Sequence, residues 1–132
     1  MVRVLLGYHS ELIGTRLAEM FDEMENVDFA GAVFQSNTLL AELDRQRPDV
    51  AVLDVRLLLS ANIHDMNAVK LRFPAIRFVL LYDYPYTQYS KEKQLRFGAE
   101  NCFDIHHEFA NLGRIITQTS RSSRYDTNSR VS

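Results

Sequence analysis

Two groups of side chains in this sequence could do chemistry. Asp54 follows the apolar residues 50–53, and residues 104–108 (DIHHE) bring together two carboxylates and two imidazoles. The second group has atoms that could bind a metal, but neighbours in a strand-to-helix turn point in different directions and lack the i, i+4 spacing of a zinc pair. We therefore predict no metal site there. Asp54 is the residue around which we expect a site to form.

Other kinds of catalytic site have little support. Gly7, Gly14 and Gly31 are isolated, so they form no glycine-rich phosphate loop, and there is no nucleophile elbow or Ser/His/Asp spacing typical of a hydrolase. Cys102 is the only cysteine, which excludes an internal disulfide and a multi-cysteine zinc site. We expect its thiol to be a small buried apolar group. The sequence predicts neither an enzyme nor a bound cofactor.

Composition is that of one globular domain. The 132 residues are 46% hydrophobic and 24% charged, too apolar for a disordered chain, and the net charge is -2 with scattered basic residues. This argues against direct binding of nucleic acid. No apolar segment approaches the roughly 20 residues that cross a bilayer, and a signal peptide is not evident. With a single cysteine, these features predict a cytoplasmic protein without a membrane interaction.

Short apolar runs alternate with helical patterns along the chain, as in βα units around a parallel sheet. The continuous apolar run that ends at Asp54 predicts a strand covered on both faces, in the middle of the sheet. We therefore predict an α/β fold with a doubly wound, five-stranded parallel sheet and helices on both faces, with ligands at the carboxyl ends of the strands. The predicted strands are residues 2–8, 27–34, 50–54, 76–82 and 101–103. The domain is predicted to span residues 1–119, followed by a polar, disordered tail at 120–132.

The predicted helices follow from caps and apolar spacing. Ser10 and Ser36 are expected to cap the first and second helices, the third begins near Asn62, and the fourth ends at Gly98. The expected apolar faces are Ile13, Leu17, Met20, Phe21 and Met24 in the first helix, Leu39, Leu40 and Leu43 in the second, Ile63, Met66 and Val69 in the third, and Phe109, Leu112, Ile115 and Ile116 in the last.

Four segments, taken in order, resemble the receiver family of bacterial response regulators. Residues 2–6 (VRVLL) resemble its first strand, residues 47–54 (RPDVAVLD) the stretch that ends in its phosphoacceptor aspartate, residues 78–81 (FVLL) its fourth strand, and residues 98–100 (GAE) the step into its fifth strand. The resemblance covers residues 2–118. It implies the flavodoxin-like strand order 2-1-3-4-5 and the phosphoacceptor position for Asp54.

The sequence departs from that family where phosphate chemistry needs a metal. In the family, two carboxylates after the first strand hold Mg²⁺, because an anionic aspartate that attacks an anionic phosphate must have its charge neutralised. Aligned without gaps, these positions are Tyr8 and His9, and neither is a good Mg²⁺ ligand. Glu11 is the nearest carboxylate, but we expect it to be a solvated acid in the first turn of a helix. The resemblance implies Mg²⁺ only if Asp54 is nevertheless phosphorylated.

Three further family roles are also substituted. The resemblance places the phosphate-binding Thr or Ser at Tyr82, the phosphate-binding Lys at Ile105 and the switch aromatic at Cys102. We therefore predict a degenerate receiver, or pseudo-receiver, that acts in signal transduction through protein contacts and independently of phosphorylation. His9 could replace the missing charge by pairing with Asp54 when protonated. We expect instead a solvent-exposed histidine in a loop.

Two alternatives and one interface remain open. The chain could be a phosphorylatable two-component receiver with Asp54 as acceptor, or it could sense a small molecule or ion in a pocket lined by Tyr8, His9, Asp54 and Tyr82. In the family, the region around the fourth helix serves dimers and partner docking, and aromatic residues are enriched at interface centres. We therefore predict a homodimer or a protein partner there. The tyrosines of this candidate interface, unless they fill the altered pocket, are Tyr84, Tyr86 and Tyr89.

Overall fold

A computed structural model describes residues 1–82, 102–104, 113–114 and 116 of the chain. Of Tyr82 and residues 102–104 it describes the backbone. The expected interface tyrosines, Ile105, the predicted fourth helix and the tail lie outside the described residues.

Five parallel strands form one sheet in the order β2-β1-β3-β4-β5. This confirms the predicted order, with β3 in the middle of the sheet. The strands agree with the predicted ones to within one residue at each end. Their bounds are Val2–Gly7 (β1), Val27–Val33 (β2), Val50–Asp54 (β3), Arg77–Tyr82 (β4) and Cys102–Asp104 (β5).

Helices cover both faces of the sheet, which confirms the predicted doubly wound arrangement. The described helices are α1 (Glu11–Glu23), α2 (Leu39–Gln46), α3 (Val55–Ser60) and α4 (Asn67–Arg72), with a 3-10 turn at Ser36–Thr38 before α2. Successive residues of β3 belong to opposite cores, as the period of a strand requires. Ala51 and Leu53 join the core under α2, α3 and α4, whereas Val50 and Val52 join the core under α1 and the helical residue Ile116. The buried centre of the molecule is therefore β3.

The predicted start of α1 is confirmed and one residue of its face is wrong. The Ser10 hydroxyl accepts a hydrogen bond from the Ile13 amide at 3.4 Å, which is the expected cap. Leu17 and Phe21 are buried, but the Ile13 side chain is 42% exposed. Gly14 takes the buried position instead, because a Cβ at Gly14 would overlap the Phe34 ring and lie 3.3 Å from the Tyr8 Cβ. The absence of a side chain at Gly14 therefore lets α1 lie close to Phe34 and Tyr8.

The predictions for the next two helices need correction. Ser36 lies in the 3-10 turn and does not cap α2, which follows Thr38 without a capping side-chain hydrogen bond. The predicted third helix is replaced by α3 and α4, and α3 starts directly after Asp54. Asn62, the expected start, has a φ of 61° between the two helices. Burial of Leu57 and Leu58 against the sheet explains why the chain is helical before Asn62.

Candidate functional site

The carboxyl ends of β1 and β3 lie side by side at one edge of the sheet. Gly7 pairs with Leu53 in the backbone register, so the residues after Gly7 reach the end of β3. Asp54 pairs with Leu81 on its other side and is only 2% exposed. It is the only charged residue among those buried in the part of the chain that the structure describes. A buried carboxylate at this edge is the natural centre of a site.

Both oxygens of the Asp54 carboxylate accept hydrogen bonds. Oδ1 accepts from the backbone N–H of Arg56 at 3.1 Å and so caps the start of α3. Oδ2 accepts from the backbone N–H of His9 at 2.9 Å and also contacts His9 Nδ1. A capping side chain typically contributes about 1 kcal/mol to helix stability. Asp54 therefore orders both the start of α3 and the loop between β1 and α1.

His9 is not the solvent-exposed loop histidine that we expected from the sequence. Its side chain is 25% exposed, and Nδ1 lies against the Asp54 carboxylate. The imidazole stacks on the Tyr8 ring, with 4.9 Å between ring centroids and 25° between ring planes. Its other nitrogen, Nε2, is 3.3 Å from Nη1 of Arg56. The imidazole thus lies between Asp54 and Arg56 and against the Tyr8 ring.

Tyr8 occupies the other substituted position as a core residue. It is 1% exposed and belongs to the same core as Leu17 and Phe21. Its backbone N–H donates to the carbonyl oxygen of Val33 at 2.9 Å, which joins the end of β1 to the end of β2. Its aromatic ring brings no carboxylate to the site. Glu11, by contrast, is an exposed residue in the first turn of α1, as expected.

Burial raises the pKa of the Asp54 carboxyl above its ordinary value, because the low-dielectric interior penalises the charged form. The backbone N–H of His9, the His9 side chain and the backbone N–H of Arg56 act in the opposite direction and offset part of the rise in pKa. The hydrogen-bond donors therefore stabilise the charged carboxylate, but the effect of burial is larger and the pKa of Asp54 stays raised.

The sequence missed Arg56 as a residue of this site. Its position two residues after a strand-ending aspartate predicts a capped backbone N–H, but no sequence signal predicts that its guanidinium reaches His9. Tyr82 is the last residue of β4, where its backbone pairs with Asp104, and the backbone of Cys102 pairs with Leu80. The side chains of Tyr82 and Cys102, like Ile105, lie outside the described residues.

Within the described ranges, no group of three or more His, Cys, Asp or Glu residues is arranged to hold a metal ion. In the same part of the chain, no helix combines the length and apolar character needed to cross a membrane.

Comparison with solved structures identifies the fold. The chain is similar to the receiver domain of AraT, a response regulator from Geobacillus stearothermophilus, with a TM-score of 0.74, 16% identity and coverage of 96% of this chain and 98% of that one. It is similar to the response regulator domain of Thermotoga maritima CheB, with a TM-score of 0.69, 15% identity and coverage of 92% and 97%. The isolated receiver domain of RcsB from Salmonella enterica serovar Typhimurium gives 0.74, 12% identity and coverage of 92% and 90%. No protein-family model and no curated protein sequence matches the chain.

Proposed function

We propose that this chain, which has the fold of response-regulator receiver domains, is an atypical receiver-like signalling domain. Its output is independent of aspartyl phosphorylation. We propose that it is not an enzyme and that it acts by binding another protein or a second copy of itself. The proposed setting is the cytoplasm.

The observation that carries this proposal is the closure of the Asp54 carboxylate. Oδ1 accepts from the Arg56 amide, and Oδ2 accepts from the His9 amide while also contacting the His9 ring. A nucleophilic oxygen must approach the phosphorus atom in line with the leaving group, within about 3–3.5 Å. The His9 ring occupies one approach to Oδ2, and Asp54 is nearly inaccessible to solvent. Attack by Oδ2 would therefore require the His9 ring to move away first.

The metal requirement supports the same conclusion. An aspartate that attacks a phosphoryl donor needs a cation to neutralise the combined negative charge. Tyr8 and His9 stand where the family resemblance implies metal-binding carboxylates, and Tyr8 is packed in the core. Arg56 brings a positive charge to the site, but its Nη1 faces His9 Nε2. These groups favour a held, internal carboxylate over a phosphoacceptor.

Incubation with Mg²⁺ and either acetyl phosphate or beryllofluoride tests the proposal. We expect intact-mass spectrometry after acetyl phosphate to show no added phosphoryl group, and fluorine NMR to show no bound beryllofluoride. Asp54→Asn is the matched control, since it keeps the shape of the side chain and removes the nucleophile. A stoichiometric adduct in the natural protein that is lost in Asp54→Asn would overturn the proposal and establish the alternative, a phosphorylatable receiver with Asp54 as acceptor.

The other alternative, sensing of a small molecule or ion, stays a prediction with its own test. A thermal-shift screen of metabolites and metal ions would support it if a hit raised the melting temperature of the natural protein but not that of Asp54→Ala. A screen in which every hit survives that substitution would count against a pocket at Asp54.

A further inference from the structure

We infer that Arg56 is the positioning residue of this site: it holds the His9 imidazole in the tautomer that donates from Nδ1 to Asp54. The inference rests on the proposed function, in which Asp54 is a closed, internal carboxylate, and it extends that proposal to the residue that keeps the site closed.

The hydrogen-bond donors and acceptors of Asp54, His9 and Arg56 determine the tautomer of His9. A guanidinium has N–H donors and no acceptor. Arg56 Nη1 lies 3.3 Å from His9 Nε2, so Nε2 must present its lone pair and accept a hydrogen bond from the guanidinium. A neutral imidazole whose Nε2 accepts carries its proton on Nδ1. This proton then points at Asp54 Oδ2, which is the acceptor that Nδ1 contacts.

The contacts form a closed cycle that joins the loop after β1, the end of β3 and the start of α3. Asp54 Oδ1 accepts from the Arg56 backbone at 3.1 Å, the Arg56 side chain donates to His9, and His9 donates to Asp54 Oδ2. The Asp54 carboxylate therefore holds the Arg56 backbone, and the Arg56 side chain in turn acts on that carboxylate through His9. His9 and Asp54 are 45 residues apart in the sequence, so the cycle links two distant segments.

Loss of the guanidinium would change the balance between the two tautomers. With no donor at Nε2, the ring is free to carry its proton there and expose that N–H to solvent. Nδ1 would then present a lone pair toward a carboxylate oxygen, which places two acceptors against each other. The imidazole would have to turn away from Asp54, and the carboxylate would become more accessible.

A protonated imidazole is the competing arrangement. In an imidazolium both nitrogens are donors, so Nε2–H would point at the Arg56 guanidinium. Donor would face donor and positive charge would face positive charge across 3.3 Å. The neutral Nδ1–H ring avoids both conflicts, and the two forms differ in whether Nε2 carries a proton.

Nitrogen NMR of isotope-labelled protein at neutral pH reads the tautomer directly, and His9→Gln identifies the His9 signals by their loss. We expect Nε2 of the natural protein to resonate as an unprotonated nitrogen and Nδ1 as a protonated one. In Arg56→Met we expect a detectable part of the population to shift to the Nε2–H form, against the preference of the Asp54 carboxylate for a proton on Nδ1. Arg56→Lys should restore the original form, because an ammonium also donates. Arg16→Met is the matched control, since Arg16 is an exposed arginine on α1, and it should leave the His9 signals unchanged.

A protonated Nε2 in the natural protein, whether in the other neutral tautomer or in an imidazolium, would overturn the inference. An unchanged tautomer in folded Arg56→Met would overturn it too. If Arg56→Met does not fold, the spectrum of the natural protein decides alone. The tautomer is measured independently of phosphorylation. An adduct on Asp54 together with the expected tautomer would refute the proposed function only. The absence of an adduct together with an unexpected tautomer would refute the role of Arg56 only.

Discussion

At the scale of single residues, Asp54 is a structural acid as much as a site residue. Its carboxylate caps α3 through the Arg56 amide and holds the loop after β1 through the His9 amide. In this geometry the Asp54 side chain acts as a hydrogen-bond acceptor that orders the segment after β3. The acetyl phosphate experiment tests separately whether Asp54 accepts a phosphoryl group.

The raised pKa of Asp54 predicts how stability depends on pH. Because burial raises its pKa in the folded protein above the ordinary value of 3.8, the folded state binds this proton more tightly than the unfolded state does. The stability that Asp54 contributes is therefore fully present below its unfolded-state pKa and is lost as pH rises through the folded-state pKa.

Asp54→Asn removes this titration and provides the measurement. We expect the free energy of unfolding of the natural protein, minus that of Asp54→Asn, to fall as pH rises from below 3.8 and to level off above the raised pKa. Urea unfolding of both proteins across this range measures the difference, and other carboxyls largely cancel in the subtraction. A difference that rises with pH would mean that the hydrogen bonds outweigh burial and that the pKa is lowered.

At the scale of elements, close packing at the end of β1 brings the site together. A Cβ on Gly7 would lie 2.8 Å from Leu53 Cδ2 and 2.9 Å from Leu57 Cδ2, both of them in buried core side chains. The absence of a side chain at Gly7 leaves room for the Leu53 and Leu57 side chains over the end of β1. The same packing brings the next residues, Tyr8 and His9, up to Asp54.

We expect Gly7→Ala to lower the free energy of unfolding by about 1–3 kcal/mol, the usual cost of an extra methyl group in a packed core. Urea denaturation measures the loss. In a Leu57→Ala background, which removes one of the two clashing methyl groups, Gly7→Ala should cost less. Strictly additive losses would show that the Gly7 and Leu57 side-chain positions do not compete for the same space.

At the scale of the whole molecule, the proposed signalling role requires contact with another protein or with a second copy of the chain. The sequence predicts a homodimer through Tyr84, Tyr86 and Tyr89, which lie outside the described residues, because tyrosine buries a large area at a small entropic cost. Analytical ultracentrifugation of the natural protein is expected to show concentration-dependent association. Replacing all three tyrosines by serine should weaken that association at least tenfold. Tyr125→Ser, in the predicted tail, is the control, and a monomer at all concentrations would contradict the dimer.

The sequence by itself determined the architecture, because the relevant signals are local and repeated. Five apolar runs separated by helical patterns predicted five parallel strands, and the unbroken apolar run before Asp54 predicted that β3 is covered on both faces. The Ser10 cap was also predictable, since it depends on residues three apart in the chain. The start of α3 was missed although Asp54 is a possible N-cap, because an aspartate at the end of a strand can also serve as a site residue and the sequence does not decide between the two roles.

Only the tertiary structure decided what surrounds Asp54. The sequence allowed His9 either to pair with Asp54 or to face solvent, and nothing in it assigned a role to the Arg56 side chain. His9 and Asp54 are 45 residues apart, and their contact depends on the register of β1 against β3. Tyr8 packs into the core under α1, and the His9 ring stacks on it above the carboxylate. Side-chain direction at a strand end is set by such packing, so the cycle of Asp54, His9 and Arg56 exists only in the folded chain.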